Sequence, residues 1–290
     1  MANLRAIRSR IKSVENTRQI TKSMKMVAAA KLRKTQNAFA ALKSYAELSG
    51  DMLAEVSRGT VSDSGNPYLK PHAENKRVCY VLLTGNRGLC GTYNQALLRY
   101  CEKLVREDAR EISLICCGRW GKDLIRAAGL AVEETVEISD TPTREEATAL
   151  AEKLKKLYRD GEADEVILVY QKYRTVLAQI PGHERLLPIP YEADSGSGDA
   201  ELIFDPDRED LVNTLLDMYI GNTVHAALLE ARTGEHSARM TAMTAASDNT
   251  EELINDLTLE LNHARQAAIT TEITEIASGA EALRNSQAGG

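Results

Sequence analysis

The stretch Ala264-Arg265-Gln266-Ala267-Ala268-Ile269-Thr270-Thr271-Glu272-Ile273-Thr274-Glu275-Ile276-Ala277-Ser278-Gly279-Ala280-Glu281-Ala282-Leu283 carries an apolar seam. Ile269, Ile273, Ile276, Ala280 and Leu283 step by 4, 3, 4, 3, which places them on one helix face with coiled-coil spacing. Such a seam requires cover. Thr270, Thr271 and Thr274 are β-branched and lower helix propensity, so a helix here is held by its surroundings rather than by local preference. Taken alone, the stretch fits either a helix that caps a bundle or one that inserts into a partner. The length of helix that the chain can lay beside it decides between the two.

All seven prolines lie between Pro67 and Pro206, leaving both ends free to form long helices. The first helical region is residues 1–57. In it Leu4, Ile7, Ile11, Val14, Thr17, Ile20, Met24 and Val27 follow steps of 3, 4, 3, 3, 3, 4, 3, an amphipathic stripe with one phase shift. Ala28-Ala29-Ala30 permits close approach of another backbone, although alanine is also the best helix former. The second region, 207–284, starts after Asp205-Pro206, a capping residue followed by a first-turn proline, and is weakened at Gly221 and Gly234. At 1.5 Å per residue it extends on the order of 115 Å. An antiparallel pair with Ser57 and Asp207 adjacent leaves the second helix about 20 residues, or roughly 30 Å, longer than the first. That overhang begins near Ala264. The apolar seam thus has no partner in its own chain, which favours insertion into another protein.

Between the helices, residues 58–75 are rich in Gly, Ser and Pro and read as a linker. Residues 76–192 alternate. Strands are expected at Val78–Thr84, Ile112–Cys117, Val132–Ile138 and Glu165–Tyr170, and helices at Thr92–Asp108, Arg119–Ala128 and Thr143–Arg159. This order implies a small, mostly parallel, Rossmann-like α/β domain, with a further hairpin between Val176 and Pro190 at its edge. Asp194-Ser195-Gly196-Ser197-Gly198-Asp199 reads as a flexible acidic loop. The fold class is therefore α/β with long helices: an antiparallel coiled coil of the two ends plus this domain.

The net charge of −6 hides an asymmetry. Residues 1–46 carry eleven basic side chains against Glu15 alone, whereas Asp199 onward carries seventeen acidic against five basic. A basic helical end suits nucleic acid or an anionic surface, but the acidic helix offers an internal counterpart. No apolar run approaches the roughly 20 residues of a membrane span, and the start is charged rather than signal-like, so a cytoplasmic protein is expected. Cys79, Cys90, Cys101, Cys116 and Cys117 show no CxxC spacing, and the five histidines form no ligand motif, which argues against a disulfide framework or zinc site.

Catalytic patterns are mostly missing. Gly85-Asn86-Arg87-Gly88-Leu89-Cys90-Gly91 follows the first strand, where a phosphate-binding loop would lie, but fits neither GxGxxG nor GxxxxGK[ST]. Its glycines otherwise serve a tight turn and close packing. Cys90 stands at a helix start that could activate it, or is a packed thiol. His183-Glu184 and Glu235-His236 read as surface pairs. A long helical pair with a compact domain looks like a lever or shaft. The alternatives are a coiled-coil adaptor that binds nucleic acid through its basic helix, or a nucleotide-binding α/β enzyme.

Three segments together resemble the gamma subunit family of F-type ATP synthases. They are Ile7–Ala29 (Ile-Arg-Ser-Arg-Ile-Lys-Ser-Val-Glu-Asn-Thr-Arg-Gln-Ile-Thr-Lys-Ser-Met-Lys-Met-Val-Ala-Ala), Glu235–Asn249 (Glu-His-Ser-Ala-Arg-Met-Thr-Ala-Met-Thr-Ala-Ala-Ser-Asp-Asn), and Ile269–Glu275 followed by Gly279-Ala280. The layout matches over essentially the whole chain. Thr84–Gly91 departs in one place: the family more usually has Ser-Asp where this chain has Gly85-Asn86. The cysteine insertion of chloroplast relatives is not apparent, so a bacterial type without thiol switching is indicated.

The resemblance implies a central rotor inside a ring of three alpha and three beta subunits. Catalysis would reside on beta, with this chain non-catalytic. It binds no cofactor or metal on this view, since ATP, ADP, phosphate and Mg2+ belong to other subunits. Proton flow through the membrane c-ring would turn the shaft toward synthesis, and hydrolysis would turn it back. Arg265 and Gln266 would form a polar catch with a catalytic-subunit loop, in a cluster with Thr270, Glu272, Thr274 and Glu275. Met24 and Arg239 would lie where the two helices couple. Ile273, Ile276, Ala280 and Leu283 would sit in an apolar bearing. Arg8, Arg10 and Lys25 would face acidic loops of beta, or else pair with the chain's own acidic helix. The α/β domain and the segment around Phe204–Asp210 would meet the epsilon subunit and the c-ring. The chain would be peripheral, at the cytoplasmic face of the bacterial plasma membrane, with no direct insertion and no nucleic acid.

Overall fold

The element order is α1 (Ala2–Ser57), β1 (Arg77–Leu83), α2 (Tyr93–Glu107), β2 (Glu111–Cys117), α3 (Arg119–Ala127), β3 (Glu134–Val136), α4 (Arg144–Arg159), β4 (Glu165–Tyr173), β5 (Gln179–Leu187) and α5 (Arg208–Ala288). The structure, a computed structural model, describes residues 2–57, 66–127, 129, 132–189 and 208–288. Residues 58–65 of the expected linker, the acidic loop at 194–199 and the Asp205-Pro206 cap lie outside those residues. The chain forms two compact units, Met1–Met26 with Ala242–Gly290 and Val27–Thr241, and α1 and α5 contribute to both.

The first unit is a helix pair. On α1 Leu4, Ile7, Ile11, Val14, Arg18, Thr21 and Lys25 are covered, a run of 3, 4, 3, 4, 3, 4 with no phase shift, and Met24 of the expected stripe is half-buried beside it. The expected stripe through Thr17, Ile20 and Val27 is not the buried one: Ile20 is 60% exposed and Val27 55%. Register explains the difference. Regular 3-4 spacing carries the seam from Ile7 to Ala28 and Leu32, and this requires it to pass through Arg18, Thr21 and Lys25. The stems of Arg18 and Lys25 cover the seam while their charged ends reach water. On α5 the matching positions are Thr250, Ile254, Leu257, Leu261, Ala264 and Ala268, with steps of 4, 3, 4, 3, 4. The unit consists of these two helix segments, so each covers the other.

The second unit is built on a five-stranded sheet of order β3-β2-β1-β4-β5. β1, β2, β3 and β4 are parallel, and β5 runs antiparallel to β4 at the edge. Strand alternation sorts the two faces. Val78, Tyr80 and Leu82 of β1 pack with Leu97 and Cys101 of α2 and Ile125 of α3. Cys79, Val81 and Leu83 face Leu150, Leu154 and Tyr158 of α4 and Leu216, Ile220 and Val224 of α5. Helix α5 therefore completes the core of the α/β unit. Both faces are covered, which is why β1 and β4 read as near-continuous apolar runs.

Three expectations change. The strand expected over Val132–Ile138 pairs only at Glu134–Val136. The edge hairpin joins β4 to β5 across a turn at Thr175–Ala178, instead of lying within Val176–Pro190. The end of the expected linker is docked, since Tyr68 and Leu69 are buried in the core. Helix α4 begins at a capping box: the Thr143 hydroxyl accepts from the Glu146 amide and the Glu146 carboxylate accepts from the Thr143 amide.

Along α1 the same 3-4 spacing continues through Ala28, Leu32, Thr35, Ser49 and Leu53, all buried. Asn222 of α5 donates to the Ser49 hydroxyl at 3.4 Å, while Lys31 and His236 both meet Asp140. Rising numbers on α1 meet falling numbers on α5, so the pair is antiparallel. Helix α5 is uninterrupted at Gly234, where a Cβ would come within 3.1 Å of the Tyr93 ring. Glycine there lets α2 approach closely, and the Tyr93 hydroxyl donates to the Ala231 carbonyl at 2.7 Å.

Candidate functional site

Cover on α5 ends at Ala268, and every described side chain from Ile269 to Ala280 is exposed. Ile269 is 49% exposed, Ile273 62% and Ile276 67%. At 3.6 residues per turn this seam is rotated about 100° from the covered seam that stops at Ala268. It is a separate face, not a continuation of the intrachain pairing. The β-branched run is accommodated locally: Thr270 donates to Gln266 O at 3.0 Å, Thr271 to Ala267 O at 3.0 Å and Thr274 to Thr270 O at 2.8 Å. These hydroxyls are satisfied within the helix, which leaves the surface more apolar than the sequence suggests.

Arg265, Gln266, Glu272 and Glu275 are exposed on the same helical segment, as is Ala280. Leu283 lies on the helix, with its side chain outside those described. Met24 is half-buried on α1. Arg239 does not join this group. It is 8% exposed and turned into the α/β unit, where it reaches the loop after β1. Arg5, Arg8, Arg10 and Lys12 are exposed and, among the described residues, make no ion pair, so of the two alternatives for Arg8 and Arg10, pairing with the acidic helix is not formed. Lys25 likewise makes none.

The second assembly of polar groups was not apparent from sequence. Glu235 and His236 are each 1% exposed, so their reading as a surface pair is overturned. Glu235 accepts from Arg232 at 2.7 Å and from Arg239 at 2.6 Å. Arg232 fills all five of its donor positions: Nε to Ser139 O at 3.1 Å, Nη1 to Thr84 O at 3.1 Å and to Glu235, and Nη2 to Asn86 Oδ1 at 3.1 Å and Ile138 O at 3.0 Å. Arg239 donates through Nη2 to Arg87 O at 3.1 Å and Gly88 O at 3.3 Å. Burial penalises the Glu235 carboxylate, yet the two guanidiniums outweigh that and hold its carboxyl below the usual range. His236 Nε2 donates to Asp140 O at 3.1 Å, and burial lowers the ring's pKa and keeps it neutral. The signal in the sequence was the Arg232–Glu235–Arg239 spacing of 3 and 4, which stacks opposite charges along one helix face.

This assembly packs against the loops after β1 and β3, at the strand ends where a doubly wound fold would hold a ligand. A Cβ on Gly85 would lie 2.9 Å from the Glu235 carboxyl carbon. Gly85 is thus required for approach of a carboxylate, and its amide donates to Asn94 Oδ1 at 2.9 Å. The Gly85-Asn86 departure has a role here, because Asn86 bonds Arg232 and donates to Ile138 O at 2.7 Å. Leu89, in the same loop, has a left-handed φ of 60°. All five cysteines are free and buried, and burial pushes the thiols of Cys79 and Cys116 up to about 11 and of Cys101 and Cys117 to about 12. Burial also raises Cys90, so a packed thiol is the observed outcome.

Asp140 ties α1 to this region through Lys31 at 2.5 Å. Burial opposes its ionisation, but the Lys31 ammonium and Asn86 amide bring its pKa down to about 2. A depressed pKa stabilises the fold above the unfolded value near 4, and the contribution is lost as pH falls through the folded value. Asp140→Asn is therefore expected to unfold at lower urea than the parent at pH 7. The gap should narrow between about pH 4 and pH 2. A gap that stays constant over that range would contradict the Lys31–Asp140 assignment.

The family model described as ATP synthase matches residues 3–283. The chain is 42% identical to the ATP synthase gamma chain of Desulfitobacterium hafniense, over 98% of this chain and 100% of that one. It is likewise 42% identical to the gamma chain of Moorella thermoacetica, over 98% and 100%. Among solved structures, a chain of the Euglena gracilis mitochondrial ATP synthase (OSCP, F1 and c-ring, rotational state 3) has the same fold. Its TM-score is 0.70 at 19% identity, covering 99% of this chain and 96% of that one. A chain of the Tetrahymena thermophila mitochondrial ATP synthase central stalk and c-ring gives 0.62 at 24% identity, covering 79% and 99%. With a family model matched from residue 3 to residue 283 and gamma chains 42% identical over nearly its whole length, the chain belongs to the ATP synthase family, among the gamma chains.

Proposed function

We propose that this chain is the central rotor stalk of a proton-translocating F-type ATP synthase, coupling rotation to ATP synthesis on other subunits. The observation that carries the reading is the exposed seam Ile269, Ile273 and Ile276 on a helix that has outrun its partner. A contiguous apolar face left open by the chain that makes it is an interaction surface. The occupant is a ring of three alpha and three beta subunits. Ile273, Ile276, Ala280 and Leu283 turn against an apolar bearing, and Arg265 and Gln266 with Thr270, Glu272, Thr274 and Glu275 make polar contacts beside it. Met24 lies in the stretch of α1 that the same ring surrounds. The unpaired Arg8 and Arg10 favour contact with acidic loops of the ring over pairing within the chain.

The mechanism is conformational. A shaft whose faces differ touches three chemically equal sites differently, so each angle assigns them different conformational energies. No step of the chemistry needs a group from this chain. ATP, ADP, phosphate and Mg2+ are held elsewhere, and the guanidinium donors of Arg232 are already taken by Glu235, Asn86 and loop carbonyls. The α/β unit meets the epsilon subunit and the c-ring. Among the described residues no helix is long and apolar enough to cross a membrane. The complex is membrane-associated, and this chain is a peripheral part of it at the cytoplasmic face of the bacterial plasma membrane.

Reconstitution tests the reading. The chain added to alpha and beta subunits is expected to yield an assembled complex with ATPase activity that depends on it, and to bind no ATP alone. Stoichiometric ATP binding by the isolated chain would favour a nucleotide-binding enzyme. Steeply salt-dependent binding of DNA or RNA would favour an adaptor.

A further inference from the structure

Every residue of α5 from Ala231 to Ser237 is buried, so the α/β unit encloses the helix around its whole circumference for two turns. Polar anchors stand on opposite sides of that enclosed segment. Glu230 and Ser237, seven residues apart, share one side, and Arg232 and Arg239, also seven apart, lie about 200° round the helix. On the first side the Tyr173 amide donates to Glu230 Oε1 at 2.7 Å and the Ser237 hydroxyl donates to Val176 O at 2.7 Å, both at the β4–β5 turn. On the other side the two arginines hold the carbonyls of the loops after β1 and β3.

Apolar contact is non-directional and permits a helix to slip about its own axis. Hydrogen bonds placed off the axis on both sides oppose that slip, because each demands a fixed angle and distance. We propose that this collar is the joint that locks α5 against twisting inside the α/β unit, with Arg232 and Ser237 as positioning residues on its two sides. Torque in the helix then passes into the α/β unit. The inference rests on the rotor reading above.

The test uses the assembled complex with its catalytic ring fixed, a probe on the α/β unit, and rotation stalled by withholding ATP. Arg232→Met leaves Glu235 paired with Arg239, and Ser237→Ala removes the opposite anchor. In the double variant the angular variance of the stalled probe is expected to rise roughly twofold or more, since one directional anchor is lost on each side and only Glu230 and Arg239 still oppose the slip. Unloaded ATP hydrolysis should stay at the parent rate, while proton pumping against a gradient falls. An unchanged variance in an assembled variant would overturn the collar. If the double variant fails to assemble, Asn86→Ala with Ser237→Ala removes one milder bond on each side and is judged by the same variance. A parent complex whose probe does not turn when ATP is supplied would instead defeat the rotor reading, so the two failures are distinct.

Discussion

Glu235→Leu is expected to destabilise the α/β unit by roughly 3–5 kcal/mol, the range for a buried ion pair broken from one side. The substitution leaves Arg232 and Arg239 in place, with side chains only 4% and 10% exposed and no carboxylate between them. Neither can lose its proton to escape the penalty. Arg232→Met should cost less, about 1–3 kcal/mol, because Glu235 keeps Arg239 as its counter-charge and the other groups left without Arg232 are Asn86 and loop carbonyls, which are neutral. Urea unfolding followed by fluorescence of Trp120, the chain's single tryptophan, gives both values, since Trp120 sits at the start of α3 within this unit. Equal and small effects would mean that the triad is as well solvated as a surface pair.

The second large effect belongs to assembly and not to folding. Ile273→Asp with Ile276→Asp is expected to leave the unfolding of the isolated chain within about 0.5 kcal/mol of the parent, as for other exposed sites. In the complex the two carboxylates would be forced against an apolar bearing, and coupled ATP synthesis should fall about tenfold, equivalent to roughly 1.4 kcal/mol. The contrast matters more than either number. A matching loss of stability in the free chain would mean that the seam is covered by its own chain, and synthesis at the parent rate would mean that no bearing presses on it.

Much of the fold was legible because its signals are local or periodic. Proline placement bounded the long helices, and strand-helix alternation gave the parallel sheet. The overhang followed from helix lengths alone, with cover ending at Ala268 where counting had put the free helix near Ala264. The α1 seam was less legible. Apolar content drew the stripe toward Thr17, Ile20 and Val27, whereas regular spacing required Arg18, Thr21 and Lys25. Half-buried arginine and lysine look polar in a sequence although their stems cover a partner helix. The buried triad was missed for a related reason. Glu235 and His236 look like a neighbouring pair, but Glu235 pairs three and four residues away on α5 and His236 donates to a loop carbonyl 96 positions distant, while the arginines reach loops about 150 positions away. Sequence carries the first kind of partner through helical spacing and gives no register for the second. Ile20 and Val27 remain as apolar residues more than half exposed among the described residues.

The most direct measurement fixes the alpha and beta ring on a surface, attaches a probe to the α/β unit of this chain, and supplies ATP. Sustained one-way rotation of the probe, with three dwells in each turn, is the predicted result. Continued ATP hydrolysis with a stationary probe would contradict the rotor account.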